Sequence, residues 1–418
     1  MNDRPPHSES DLVLPGIKAQ PLPGWPPASL DPGSGRAPQA DQRTPAHDRN
    51  NKSQVSTVLG DCRLASAPAR KSCAHGPDVP SMPAVDEYRA LEAWKTVVGA
   101  ARVEPMDKVH NPIWKVTGED GRRWVLKHLP EWPPGVGPVE EYRVLCYLQA
   151  GGLPVAAPIV TDAGLIAYNA DNLGPDPDVE RPTGAHAYAL IPLLPSDPEL
   201  HESPELAHTI GRGIGRLDRM LAECPWHVTS FTDAAAPNVL GDGYARLPMG
   251  LRVMVDPLRD QLSAALTDLP IQLTHGDCNV GNVLVHNGEV TGYIDFDHLP
   301  HGPRVRDLSY YLASRLLDQI NDGDPNALAA VLRHYVAGYH SIHPLTEREL
   351  AAVVPVLLTA LVGGADWCLH GWVPEPAGYQ RKLHAIEWIA ARYDQLVSAA
   401  APRQAGSTDD PNDGEPWA

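Results

Sequence analysis

Residues 273–307 read LTHGDCNVGNVLVHNGEVTGYIDFDHLPHGPRVRD, and this stretch decides the fold. In it Asn282 follows Asp277 by five residues, and Asp295 comes after a short hairpin pattern. A carboxylate such as Asp277 can accept the proton of an attacking hydroxyl. The amide and carboxylate oxygens of Asn282 and Asp295 are suitable ligands for Mg²⁺, a hard cation that also binds nucleotide phosphates. The three residues together predict a site for phosphoryl transfer.

The dipeptide Asn287-Gly288, between two β-rich runs, predicts a hairpin with a type I′ turn. Folding at this turn places Asn282 opposite Tyr293, and Asp295 then lies a diagonal of roughly 7–8 Å from Asn282. The hairpin therefore predicts that both side chains reach one ion. The expected cross-strand pairs are His286 with Glu289, Val285 with Val290, Leu284 with Thr291 and Val283 with Gly292.

The composition excludes several classes of protein. The chain has 418 residues, with 34 Lys and Arg against 52 Asp and Glu, which gives a net charge of −18. A nucleic-acid-binding protein would show a basic stripe, so this class is not expected. The acidity also favours a cationic substrate if the charge lies in a cleft, although an acidic surface is the simpler explanation.

The cysteines and the apolar runs indicate the cellular compartment. The six cysteines are scattered without CxxC or zinc-type spacing, which indicates free thiols in a reducing compartment. No apolar run reaches the ~18–20 residues of a membrane span, and the N-terminus lacks the pattern of a signal peptide. We therefore expect a cytoplasmic protein that binds neither membranes nor nucleic acids. The sequence does not indicate an oligomeric state.

Four segments are expected along the chain. Residues 1–85 and 401–418 are rich in Pro, Ser, Gly and Asp, which predicts disordered tails. A start site near Met82 would remove the first tail, and the sequence leaves this alternative open. Residues 86–195 carry a β-rich pattern and residues 196–400 a helical one, with Ser203 as N-cap and Pro204 as the first residue of a long amphipathic helix. Further helices are expected at 87–98, 139–148, 257–268, 308–319, 326–341, 346–371 and 378–397.

The motifs HGDxxxxN at 275–282 and IDFD at 294–297 resemble those of the aminoglycoside phosphotransferase family. This family of small-molecule kinases also includes homoserine-kinase-type and choline-kinase-like enzymes. The resemblance implies an α+β, bilobal, protein-kinase-like fold. Its small lobe would be an antiparallel β-sheet and its larger lobe mostly helical. ATP and Mg²⁺ would be the cofactors, and His275 would hold the shape of the loop around Asp277.

The resemblance also implies residues that bind the nucleotide. Lys127, which ends a predicted strand, would contact the phosphates, and Glu141 would form an ion pair with it, with Glu140 as the alternative. Backbone groups near Ile191 and Leu193 would bind adenine. The family's phosphate turn falls on residues 106–113, which lack GxGxxG, and Asn111 is the candidate contact there. These five residues are the expected cofactor-binding set: Lys127, Glu141, Ile191, Leu193 and Asn111.

Each of three further polar features has two possible roles. Asp307 can cap the following helix, and by resemblance an Asp here also steadies the catalytic loop. Asp297 can be a second metal-side ligand or can bond to the backbone. Asp366 and its neighbours up to Trp372 can line a substrate pocket or belong to the core.

The expected activity is transfer of the ATP γ-phosphate to a hydroxyl of a small molecule: an aminoglycoside, an amino alcohol or a homoserine-like compound. Only nine residues separate Asp297 from Asp307, too few for a peptide-docking loop. This short segment favours a small molecule as the acceptor. A protein Ser/Thr kinase and a non-catalytic nucleotide-binding regulator of the same fold are the alternatives.

Overall fold

A computed structural model of the protein describes residues 87–106, 112–129, 138–164, 166–169, 187–226, 228, 240, 244, 247–322, 324–370 and 375–401. The predicted tail at 1–85 and nearly all of that at 401–418 lie outside these residues, as does Asn111. The chain divides into two units, Met1–Val85 and Asp86–Ala418, and the description that follows concerns the second.

The second unit contains nine described strands and a larger number of helices. The strands are β1 (Arg102–Pro105), β2 (Ile113–Thr117), β3 (Arg123–Leu129), β4 (Tyr168–Asn169), β5 (Ala187–Pro192), β6 (Ile271–Leu273), β7 (Val283–His286), β8 (Glu289–Tyr293) and β9 (His301–Pro303). The helices are α1 (Glu87–Leu91), α2 (Lys95–Val98), α3 (Pro138–Ala150), α4 (Pro204–Ala222), α5 (Met249–Val255), α6 (Arg259–Leu266), α7 (Arg306–Asp322), α8 (Pro325–Ile342), α9 (Glu347–His370), α10 (Pro376–Ala390) and α11 (Tyr393–Ala400).

The small lobe is built on an antiparallel sheet with the strand order β1-β2-β3-β5-β4. Alternate residues of β2 are buried, Trp114 and Val116, as expected for a strand with one face on the core. Strand β3 lies in the centre of the sheet, where Lys127 pairs with Ile113 on one side and with Ala189 of β5 on the other. This register fixes Lys127 in the middle of a rigid element.

The large lobe is organised around α4 and α8. The Ser203 hydroxyl accepts the N–H of Leu206 (3.1 Å) and Pro204 begins α4, as the sequence predicts. The two helices pack closely because glycines of each lie against the backbone of the other. A Cβ atom on Gly338 of α8 would lie 2.2 Å from the backbone oxygen of His208, and one on Gly211 of α4 would lie 2.1 Å from that of Tyr335. The expected bilobal α+β fold is confirmed.

Three predicted helices are broken in the structure. The segment expected at 87–98 contains a 3₁₀ turn, Glu92–Trp94, between α1 and α2. The segment expected at 378–397 is two helices, because Arg392 leaves the helical conformation (φ −125°, ψ 15°) between α10 and α11. The segment expected at 257–268 begins with a 3₁₀ turn, Asp256–Leu258, before α6. Each break follows from local backbone geometry that the apolar period does not reveal.

Helix α9 has the length and composition of a membrane span over Glu347–Leu369, with a mean hydropathy of 1.8. It is the one described helix with this property. However, 67% of the apolar window is buried by other parts of the protein, as in the core helix of a folded domain.

Candidate active site

The hairpin of β7 and β8 closes through the predicted turn. Asn287 and Gly288 have φ values of +52° and +79°, the positive pair that a type I′ turn requires. The pairs His286–Glu289 and Val285–Val290 are those predicted. Beyond them the predicted register is wrong, because a β-bulge makes Leu284 pair with Gly292 and Val283 with Tyr293.

Contacts from outside the hairpin accompany the bulge. The hydroxyl of Thr291 donates to the backbone oxygen of Pro195 (2.6 Å), and a Cβ atom on Gly292 would lie 2.5 Å from Leu194. The bulge brings Asn282 opposite Ile294, whose N–H donates to the Asn282 backbone oxygen (3.1 Å). Asp295 is therefore one residue beyond the partner of Asn282, rather than the two predicted.

The backbone of the HGD loop, residues 275–282, is held by hydrogen bonds to Asp307. The two oxygens of its buried carboxylate accept the backbone N–H groups of His275 (2.6 Å) and Gly276 (2.9 Å). Asp307 lies inside the first turn of α7, so the helix begins earlier than predicted and Asp307 is not its cap. Of the two interpretations of Asp307, the contact with the loop is the one observed.

His275 joins the HGD loop to the hairpin. Its Nε2 atom lies 2.9 Å from the backbone oxygen of Ile294, and its ring packs against Phe296 with 4.4 Å between the ring centroids. The side chain is fully buried. This position suits the expected role in loop shape.

Asn282 fixes the orientation of Asp277. Its Nδ2 donates to the Asp277 carboxylate oxygen Oδ2 (2.9 Å) and to the Asp277 backbone oxygen (2.8 Å). Both amide hydrogens are thus used, which leaves the carbonyl oxygen Oδ1 of Asn282 as the atom that can bind a cation.

Tyr310 of α7 is a site residue that the sequence reasoning missed. Burial, followed by the charge of the Asp277 carboxylate and a hydrogen bond to it, raises the pKa of the Tyr310 phenol. Tyr310 follows Asp307 by three residues and therefore lies on the same helical face. That spacing was the available signal.

Lys127 reaches the hairpin from the small lobe. Its Nζ donates to Oδ1 of Asp295 and lies 3.7 Å from Oδ2 of Asp297. Burial lowers the pKa of Lys127, but the carboxylates of Asp295, Asp297 and Glu141 raise it by more. Burial likewise raises the pKa of Asp295, yet Lys127 brings it below its usual value. Both groups are therefore ionised.

Glu141 lies near Lys127 but does not pair with it directly. Both residues are described, and no ion pair joins them, because the carboxylates of the hairpin take the ammonium group. The expected Lys127–Glu141 ion pair is therefore corrected. Burial raises the pKa of Glu141 to about 7, although Lys127 lowers it.

A cavity that is partly open to solvent lies beside these residues, and the space in it, open solvent included, is about 470 Å³. Ile191 is one of its lining residues, and the expected contact of its backbone with adenine stays a prediction. Leu193 is not among the lining residues, and its N–H donates to the backbone oxygen of Arg123 (3.2 Å). The cavity is lined by Lys127, Leu129, Glu141, Leu145, Ala156, Pro158, Ile166, Ala167, Ala189, Ile191, Asp295 and Phe296.

Residues 103–351 match the model of the phosphotransferase enzyme family, APH. The chain belongs to this family. Stress response kinase A of Escherichia coli (strain K12) is 24% identical over 284 residues, 65% of this chain and 78% of that protein. The protein called serine/threonine protein kinase RdoA of Salmonella typhimurium (strain LT2) is 25% identical over 280 residues, 64% of this chain and 77% of that protein.

Solved structures of the phosphotransferase fold agree with the family. A microcompartment-associated aminopropanol kinase has a TM-score of 0.54 at 14% identity and covers 75% of this chain and 98% of its own. An aminoglycoside phosphotransferase from Alicyclobacillus acidocaldarius has a TM-score of 0.52 at 15% identity, covering 77% and 99%. Amicoumacin kinase hAmiN, in complex with AMP-PNP, Ca²⁺ and Ami, has a TM-score of 0.51 at 17% identity, covering 72% and 93%.

The donor atoms of this phosphotransferase fit a magnesium ion. Among the residues that the structure describes, no group of three or more His, Cys, Asp or Glu could hold a metal. Mg²⁺ in nucleotide sites needs only one or two protein oxygens, because phosphates and water complete its shell. Oδ1 of Asn282 and the carboxylate of Asp295 match this requirement.

The remaining expected residues are only partly placed. Oδ1 of Asp297 is buried and receives no hydrogen bond from the described part of the chain, while Oδ2 faces Lys127. Trp367 of α9 is 61% exposed, so it does not belong to the core. Trp372 lies outside the described residues, which leaves the cluster at 366–372 without a described pocket.

Proposed function

We propose that this phosphotransferase moves the γ-phosphate of ATP to a hydroxyl of a small molecule, with Asp277 as the base. One observation carries the proposal: Asp277, Asn282, Asp295 and Lys127 lie together around the hairpin and the HGD loop. A base, a cation site and a fixed ammonium group are the parts that phosphoryl transfer requires.

The chain's residues supply positioning and charge. Asn282 occupies Oδ2 of Asp277, so the second oxygen of that carboxylate would accept the proton of the acceptor hydroxyl. The hydroxyl oxygen then bonds to the γ-phosphorus while the bond from that phosphorus to the ADP oxygen breaks. Lys127 would bind phosphate oxygens, exchanging its contact with Asp295 for them. Mg²⁺, held by Asn282 and Asp295, would neutralise phosphate charge.

The cavity supports ATP as the donor. Its lining is mostly apolar and includes Ala167, Ala189 and Ile191, and its ionisable residues are Lys127, Glu141 and Asp295. An apolar lining with a few charged groups suits a flat base that carries phosphates. The expected compartment is the cytoplasm, in keeping with the free thiols of the described cysteines.

The segment after the metal Asp supports a small acceptor. Of the nine residues between Asp297 and Asp307, His301–Pro303 form β9, which pairs with β6. The pairing leaves little chain to dock a peptide. The name of one fold neighbour, an aminopropanol kinase, agrees with a hydroxyl compound that carries an amine.

Transfer to a protein Ser or Thr is the second candidate. The observation in its favour is the relative called serine/threonine protein kinase RdoA. The two candidates use the same base and differ only in the acceptor, so one assay separates them.

The test is ADP release by the purified full chain with Mg·ATP, across a panel of aminoglycosides, amino alcohols, hydroxy amino acids and a Ser/Thr-containing protein. We expect one small-molecule class to stimulate release, and Asp277→Asn to lower that rate by about 10²–10⁴-fold without unfolding the chain. Asp394→Asn, an exposed Asp on α11, is the matched control and should keep the wild-type rate.

Each other outcome has a defined meaning. Stimulation by the protein alone supports the second candidate. ATP binding with no turnover on any acceptor supports a regulator. A wild-type rate in Asp277→Asn shows that Asp277 is not the base.

A further inference from the structure

A second carboxyl group lies behind Asp307, the residue that holds the HGD loop. Asp218 of α4 is fully buried, as is Asp307. The charge of Asp307 acts on Asp218, and the two carboxyl groups lie close enough for a hydrogen bond if one of them carries a proton. Since both oxygens of Asp307 already accept N–H groups of the loop, Asp307 is suited to act as the acceptor, and a hydrogen between the two carboxyl groups would come from Asp218.

The two oxygens of Asp218 have different surroundings. Oδ2 accepts the hydroxyl of Tyr339 (2.7 Å), whereas Oδ1 is buried and receives no N–H or O–H from the described residues. A bare, ionised oxygen in this position would carry a large desolvation cost. A proton on Oδ1 removes that cost and makes Asp218 a donor to Asp307.

Among the described groups that shift the pKa of Asp218 most, Arg304 is the cation, and it is already paired with another carboxylate. Arg304 interacts with Asp218, but its guanidinium is paired with Glu349, with 2.6 Å between Nε and Oε1. Burial, followed by the charge of Asp307, raises the pKa of Asp218 well above its ordinary value. The groups that face Asp218 are Asp307 from α7, Tyr339 from α8, Arg304 from the segment before α7, Cys278 from the HGD loop and Tyr293 from the hairpin.

The three other titratable neighbours add no charge at ordinary pH. Burial raises the pKa values of Tyr339, Cys278 and Tyr293, so all three stay neutral. The immediate surroundings of Asp218 therefore hold one carboxylate, Asp307, and one cation that is already paired.

We propose that Asp218 is a positioning residue that keeps a proton and donates it to Asp307, so that the hold of Asp307 on the HGD loop depends on pH. Loss of the proton would set two buried carboxylates against each other. The N–H bonds from His275 and Gly276 to Asp307 would then weaken, and the loop that carries Asp277 would lose order.

The sign of the pH dependence follows from proton linkage. The folded protein keeps the Asp218 proton at pH values where the unfolded chain, with the ordinary value of 3.8, has released it. Stability therefore falls as pH rises from that value towards the raised pKa of the folded state. When the folded state binds one proton more than the unfolded state, the unfolding equilibrium constant rises about tenfold per pH unit.

Asp218→Asn is the decisive variant, because an amide keeps a donor towards Asp307 and an acceptor for Tyr339 but does not titrate. Unfolding of the full chain by urea would be measured from roughly pH 5 to pH 8. We expect the wild-type unfolding constant to rise up to about tenfold more per pH unit than that of the variant. Asp394→Asn should follow the wild type. Parallel curves for wild type and Asp218→Asn would overturn the proposal.

Hydrogen exchange of peptides that cover 273–282 tests the effect on the loop. After correction for the intrinsic rate, protection should fall with rising pH in the wild type and stay constant in Asp218→Asn. If that variant does not fold, the infrared spectrum of the wild type decides. A carbonyl band of a buried un-ionised carboxylic acid, shifted by ¹³C-aspartate labelling, should be present at neutral pH, and its absence would overturn the proposal. None of these measurements needs an acceptor, so their outcome is independent of the proposed reaction.

Discussion

Gly276 shows how narrowly one residue of the HGD loop is specified. Its φ of +83° lies in the left-handed region, and an added Cβ atom would lie 2.2 Å from Cδ of Pro300. Two separate costs therefore oppose any side chain: the backbone conformation and the steric overlap. The conformation of the loop that carries Asp277 depends on the absence of a Cβ atom at this position.

Gly276→Ala should destabilise the protein through both costs. We expect about 1–2 kcal/mol for the left-handed conformation and a further ~1–3 kcal/mol for overpacking against Pro300. Urea unfolding at neutral pH measures the sum. Gly121→Ala is the matched control, because Gly121 has a φ of +80° with nothing within 4 Å of the added atom. If both variants lost the same stability, the contact with Pro300 would have no energetic role.

At the scale of elements, helix α7 supports the HGD loop along one face. Asp307 binds the N–H groups of His275 and Gly276, and the Ser314 hydroxyl accepts the N–H of Val280 (3.3 Å). Tyr310 lies on the same face between these two contacts, level with Asp277. The helix therefore fixes the position of the loop backbone and helps to orient the carboxylate of Asp277.

Tyr310→Phe should lower turnover while leaving the fold intact. The change removes the hydroxyl next to Asp277 and keeps the half-buried ring. Since hydrogen bonds to charged groups contribute about 1.5–3 kcal/mol, we expect kcat to fall by roughly tenfold or more, with the KM for ATP unchanged. Tyr88→Phe, at an exposed tyrosine of α1, should have wild-type kinetics. An unchanged kcat in Tyr310→Phe would mean that the hydroxyl does not orient Asp277.

The elements predicted well from the sequence are those specified by local signals. The start of α4 depends on Ser203 and Pro204, and the type I′ turn depends on Asn287-Gly288. Each signal lies within a few residues of the structure it specifies. The same holds for helices whose apolar period runs without a break, as in α8.

The features that the sequence did not predict depend on distant residues. Residues Thr291 and Gly292 beside the bulge contact Pro195 and Leu194, nearly a hundred residues earlier in the chain. The pairing of Lys127 with Asp295 rather than Glu141 joins residues 168 positions apart. No local pattern encodes either contact, because each is decided by how the two lobes meet.

At the scale of the molecule, the hairpin is shared by the two lobes. The segment after α3 continues its sheet: the N–H of Tyr293 donates to the backbone oxygen of Pro154 (2.9 Å), and Val155 forms a parallel bridge with Tyr293. Lys127 crosses from the sheet of the small lobe to Asp295 at the end of the hairpin. A nucleotide in the cavity would contact both lobes and join them further.

A non-hydrolysable ATP analogue with Mg²⁺ should therefore stabilise the whole second unit. A ligand at about 100 times its Kd adds about 2.7 kcal/mol, which for a unit of this size raises the unfolding midpoint by roughly 5 °C. Asp277→Asn should keep the full shift, since the role proposed for Asp277 is in the transfer step. Asp295→Asn should keep a shift with the analogue alone and lose the further increment that Mg²⁺ produces. A full magnesium increment in Asp295→Asn would place the ion on other residues. The absence of any shift in the wild type would mean that this cavity does not bind ATP.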